Sequence, residues 1–205
     1  MKPTSHETAI QYLKTSSFSE RDLRFREAIN DLNYHFIKTN DVQVLKDIYF
    51  KLKDITLRNI ILGILMHNEI GLKQFFLDVY KKERYLDMKL KAIRGLANYT
   101  TETEIEQIME NFLKLLMKRP ENTPYNYQEY EFIRSACGLP YLIKKYGYSC
   151  FEKALRQEEK QYNEMPEAFK GHYSFDEDGN LIVLRNPNEA KEMMNNFFAS
   201  KNSRN

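Results

Sequence analysis

Apolar residues recur along most of this chain at spacings of three and four, the period of a helix with one buried face. A first helix is expected over residues 4–16. Ser19 is positioned to cap a second, running to about Ile37 with Leu23, Phe25, Ile29, Leu32 and Phe36 on its apolar side. Asn40 or Asp41 would cap a third, which carries Val42, Leu45, Ile48, Tyr49 and Leu52. The fourth starts near Asp54 and is apolar almost all round through Met66, the pattern of a helix enclosed by others. Residues 72–80 and 86–99 form a further pair. Thr101 and Glu104 make a capping box for a helix to about Lys118. A long helix over 127–146 would be kinked at Pro140 and stopped by Gly147. Ser149 and Glu152 make a second capping box, for a helix ending before Pro166.

Beyond residue 166 the helical period gives way. Tyr173 to Phe175 and Leu181 to Leu184, on either side of an Asp176 to Asn180 turn, predict a β-hairpin. Asn186, Pro187 and Glu189 then open a closing helix with Met193, Met194, Phe197 and Phe198 on one face. The fold class is therefore all-α, of stacked antiparallel helical pairs, with a small C-terminal hairpin and closing helix. A single domain is expected: a helical stack over 1–165 and an appendage over 166–205.

One phrase repeats near helix starts. Asp22, Phe25 and Arg26 are echoed by Asp54, Leu57 and Arg58 and by Asp87, Leu90 and Lys91, at intervals of 32 and 33 residues. A regular period in this range predicts stacked helical pairs. The Asp caps a helix, and the base four residues on can pair with it or with the equivalent Asp of a neighbouring repeat. A degenerate fourth copy lies at Tyr130, Ile133 and Arg134, 43 residues after Asp87. Small and apolar residues follow, as in Ala92, Ile93, Gly95, Leu96 and Ala97, and again in Ser135, Ala136, Gly138 and Leu139. In these features residues 20–145 resemble the second helices of HEAT repeats; another all-helical bundle is the other reading. The resemblance implies a curved stack that binds a partner on an extended surface.

Composition narrows function more than fold. With 42% hydrophobic and 29% charged residues, the 205-residue chain can bury a core. A net charge of +2 gives no overall field for nucleic acid or membrane. No apolar stretch approaches the roughly 20 residues that span a bilayer, and Met1 to His6 open no signal segment, so a cytoplasmic location is expected. The bias towards Lys, Asn, Ile and Tyr without Trp suggests an AT-rich bacterial gene. Cys137 and Cys150 are expected as free thiols. No phosphate-binding glycine loop is present, and His6, His35, His67 and His172 lack a partner at helical metal spacing. Asp176, Glu177 and Asp178 lack the closing Glu of a calcium loop. No catalytic residue, cofactor or metal site is expected.

Two partner classes remain. Lys81, Lys82, Arg84, Lys89, Lys91, Arg94, Lys114, Lys118, Arg119, Lys144 and Lys145 would contact phosphates if they shared one face. Some HEAT-like proteins are DNA glycosylases, which makes a DNA-binding protein the alternative. Acidic Glu102, Glu104, Glu106 and Glu110 nearby, and the absence of Trp, weigh against it. The residues expected to touch a protein partner are Tyr125, Tyr127, Glu129, Tyr130 and Glu131, where large rigid rings alternate with acids. Arg94 and Asn98 join them, with Asn33, Tyr34 and Asn59, on the later faces of the repeat helices. The expectation is a non-catalytic, protein-binding chain, most concretely a bacterial immunity protein that neutralises a toxin domain such as a nuclease.

Overall fold

Short connections and helix-capping side chains order the chain into successive helices. The computed structural model describes residues 3–67, 71–118, 127–171, 173–178 and 180–202. It divides into two compact units, residues 1–83 with 91–99, and residues 84–90 with 100–205. The fold is all-α apart from one two-stranded antiparallel sheet. The residues expected as a C-terminal appendage fall within the second unit.

The first unit holds α1 (Pro3–Thr15), α2 (Leu23–Asn30), a 3-10 turn (Tyr34–Phe36), α3 (Thr39–Lys51), α4 (Ile55–Leu65) and α5 (Lys73–Lys82). It also takes the later part of α6 (Leu86–Leu96). Asp22 rather than Ser19 caps α2, its side chain accepting the Arg24 N–H. The helix stops at Asn30, short of Ile37, with Asp31 as its C-cap, and the Asn33 side-chain carbonyl accepts the His35 N–H to start a separate 3-10 turn. In α3 it is Asp41 that serves, reaching back from the first turn to the Lys38 N–H at 2.8 Å. The nearly all-apolar α4 buries Leu57, Ile61, Leu62 and Leu65, beside Phe25, Ile29 and Leu45. Phe75, Phe76, Val79, Ile93 and Leu96 are buried in the same unit.

The second unit contains the start of α6, then α7 (Glu102–Met117), α8 (Tyr127–Arg134), α9 (Leu139–Tyr146) and α10 (Ser149–Glu164). A 3-10 turn (Glu167–Phe169), β1 (Tyr173–Phe175), β2 (Leu181–Val183) and α11 (Pro187–Asn202) complete it. Thr101 and Glu104 form the expected capping box of α7. The long kinked helix is instead two helices. Ser135 folds its hydroxyl onto the Phe132 carbonyl, and Gly138 sits so close to the Phe132 and Ile133 carbonyls that a Cβ would collide with them. Pro140 starts α9 rather than bending a longer helix, since a first-turn residue needs no N–H. Gly147, at φ 67°, ends α9 in the left-handed conformation.

Helix α10 packs against α7, α8 and α9. Its expected capping box does not form: Ser149 is its first residue, and Tyr148 before it stacks on Phe151 instead. In the hairpin Tyr173 faces Val183 and Phe175 faces Leu181, with β1 lying on α8. Asn186 accepts the Asn188 N–H at the start of α11. That helix lays Met193, Met194 and Phe197 on a small core of Tyr130, Tyr162, Met165 and Phe169.

Candidate partner-binding surface

The repeated phrase forms a ladder inside the first unit. Asp54 caps α4 through the Thr56 and Leu57 N–H groups, and its other oxygen takes the Arg26 guanidinium at 2.7 Å. The base of one copy thus meets the Asp of the next, and that contact, with the two backbone donors, holds the Asp54 carboxyl below its ordinary range. Glu20 accepts the Lys53 and Asp54 N–H groups from the same side. One step further Arg58 pairs with Glu83 at 3.5 Å, and Lys91 donates to Asn59. Asp87 is the second residue of α6, whose first N–H is taken by Glu129 at 2.8 Å. These contacts tie successive elements of the fold to one another.

Most of the residues expected at a partner surface lie inside. Tyr125 falls outside the described residues, and Tyr127 opens α8. Glu129, Tyr130 and Glu131 are all buried. Consecutive helix residues point about 100° apart, so three buried in a row mean that α8 is enclosed on most sides, here by α10 and β1. Their acids serve the fold: Glu129 caps α6, and Glu131 accepts the Tyr162 hydroxyl at 2.8 Å and the Gly171 N–H at 3.2 Å. Arg94 is buried and Asn98 half-buried. Of the other face residues, Tyr34 stacks on His67 and Asn59 is taken by Lys91.

Next to Glu131 lies a buried polar cluster. Arg134 approaches Glu131 at 3.5 Å and spreads its guanidinium over the Tyr162 ring, 3.7 Å from the centroid. Glu158 of α10 is 0% exposed, and among the described residues neither carboxyl oxygen has a hydrogen-bond partner. Burial pushes its pKa up to about 8; Arg134 opposes the shift and Glu131 adds to it. Burial and the bond to Glu131 also raise the Tyr162 phenol. None of these groups is among the residues lining either of the clefts described below. The thiols of Cys137 and Cys150 are buried as well, and burial raises that of Cys150. Among the described residues no group of three His, Cys, Asp or Glu side chains is placed to hold a metal ion, and no helix is long and apolar enough to cross a membrane.

Several of the basic residues are buried or already engaged. Lys89 and Arg94 are buried, Lys91 is bonded to Asn59, and Lys144 pairs with Glu177 at 3.7 Å. Arg119 lies outside the described residues. Lys114 instead shares a groove of about 630 Å³ with Lys153, Arg156 and Lys160 of α10. In the first unit a cleft of about 480 Å³ is lined by His6, Lys14, His35, Phe36 and Asp41, among others. Its charged groups are engaged: Lys14 holds Asp41 at 2.6 Å, and His6 Nδ1 accepts the Asn33 N–H.

Among the described residues, the hairpin carries a run of four exposed aliphatic side chains. Leu181, Ile182, Val183 and Leu184 are 57%, 45%, 63% and 53% exposed, and β2 pairs with β1 along one edge. The sequence contained the signal for this. A strand with one solvated face alternates, whereas four aliphatic residues in succession ask for cover on both faces. The groove was also legible, since Lys153, Arg156 and Lys160 fall on one helical face. What the sequence did not disclose was that α7 would bring Lys114 beside them. No family model matches this chain, and neither does any curated protein or solved structure.

Proposed function

We propose that this chain is a non-catalytic protein-binding module, built of stacked helical pairs similar to HEAT repeats, and that it serves as a bacterial immunity protein, binding a toxin domain such as a nuclease and covering its active site. The observation that carries the binding role is the open strand from Leu181 to Leu184. Exposed aliphatic runs of this kind mark protein contacts, and an unpaired strand edge adds main-chain donors and acceptors that another polypeptide can satisfy. A phosphate backbone offers charge and no apolar counterpart. The inward-turned carboxyls and thiols are consistent with a chain that acts by binding. The immunity role rests on composition and architecture, and it places the chain in the cytoplasm.

The test is co-expression with the product of the adjacent open reading frame. Rescue of growth by the wild-type chain, lost in Leu181→Asp with Val183→Asp at unchanged melting temperature, is the expected result. A variant that rescues as well as wild type would remove the strand from the interface, and absence of rescue by wild type would remove the immunity role. A second reading, DNA binding, draws on the four cations of the α7/α10 groove. Tight, salt-dependent duplex binding would favour it.

A further inference from the structure

Helices α7 and α10 run side by side in the same direction. Near their starts Glu102 and Glu106 lie close enough to raise the Cys150 thiol, and near their ends Gln161 donates to the Leu116 carbonyl at 2.7 Å. The groove they enclose has an apolar floor, Leu113 and Met117, with Met117 63% exposed. Lys114 stands on one wall and Lys153, Arg156 and Lys160 on the other, against Glu110 as the acid among the described lining residues. Glu152 lies 3.5 Å from Arg156 outside the lining, in an exposed pair that compensates little. The three α10 cations recur at i, i+3 and i+7, a span of about 10 Å along the axis, or two turns of a second helix laid alongside.

We propose that this groove seats an acidic amphipathic helix of the partner protein, its apolar anchors on Leu113 and Met117 and its carboxylates against the four cations. The assignment rests on the protein-binding reading above and adds a surface separate from the β2 strand. Charge complementarity selects an acidic occupant. The floor selects a polypeptide, since a methionine-lined groove fits aliphatic side chains of differing shape. Among the described residues it offers no aromatic ring on which a base could stack.

A labelled helical peptide with leucines on one face and glutamates on the other tests this by fluorescence anisotropy on the full chain. Its controls are a peptide of the same composition with the leucines scattered, and duplex DNA. The expected result is saturable binding that weakens about tenfold or more in Lys153→Glu with Arg156→Glu, and also weakens in Met117→Ser and for the scattered peptide. Lys114→Glu, on the other helix, repeats the charge test, and melting curves establish that each variant is folded. Equal binding by wild type and the double variant would overturn the proposal. So would equal binding of both peptides, or duplex binding tighter than peptide binding and lost in the double variant. If the double variant still rescues growth with the adjacent gene product, the groove assignment falls and the protein-binding reading stands. If the peptide binds as expected while wild type rescues nothing, the groove stands and the immunity role falls.

Discussion

Glu158 is a fully buried carboxyl with no hydrogen-bond donor on it among the described residues, and Arg134 near it is already engaged by Glu131 and Tyr162. With a pKa near 8 in the folded chain against 4.5 for the free group, folding takes up a proton at intermediate pH. Stability therefore falls as pH rises from the lower value to the higher, by at most about 1.4 kcal/mol per pH unit. Glu158→Gln should flatten that decline, so its advantage over wild type in melting temperature should grow from pH 5 to pH 8; parallel curves would refute the burial argument. Asp54 behaves oppositely. Its lowered pKa means that its contribution is present above the ordinary carboxylate range and is lost as pH drops through the folded value. Asp54→Ala removes a helix cap and should cost about 1–2 kcal/mol. Arg26→Ala should cost under about 1 kcal/mol, because that guanidinium is 37% exposed. Denaturant titration of both variants checks the order. Glu129→Ala, once attractive as an interface probe, should now lower stability, because it strips the acceptor from a buried N–H of α6.

Among the helices, two glycines give a matched comparison. Gly95 in α6 lies against the Phe76 ring, where an added Cβ would collide with it, while Gly63 in α4 has open space. Gly95→Ala should destabilise by about 1–3 kcal/mol despite its better helix propensity. Gly63→Ala should stabilise by about 0.5–1 kcal/mol. Calorimetry of the pair separates packing from propensity, and equal effects would contradict the close approach. Element type was largely legible before any coordinates: the apolar period marked the helices, and Asp54, Thr101, Gly147 and Asn186 marked their ends. Where expectation and structure part, at Ile37 and at Pro140, a side chain competes for the backbone. Ser135 bonds the Phe132 carbonyl where α8 ends, and Asn33 bonds the His35 N–H to start a separate turn, each where hydrophobic spacing alone would continue the helix.

For the chain as a whole, the interface was less legible than the fold. Tyrosines and acids in alternation suggested a contact surface, yet around residue 130 they became interior, because a helix enclosed by α10 and β1 must satisfy neighbouring backbone with whatever polar groups it carries. Burial is decided by contacts distant in sequence, which residue type alone does not encode. Among the described residues, the exposed aliphatics of β2 and the basic groove are two outward features. Replacing Leu181 and Val183 by Thr should reduce binding of a hydrophobic dye without moving the melting temperature. A drop in melting temperature would show that the strand is a structural part of the unit. The β2 edge also bears on gene dosage. Under the proposed binding role, the exposed aliphatic strand is covered only while the partner is in supply. Copies of the chain in excess are then expected to meet one another through that edge, so scattering should rise steeply with concentration and disappear when the partner is added in equal number.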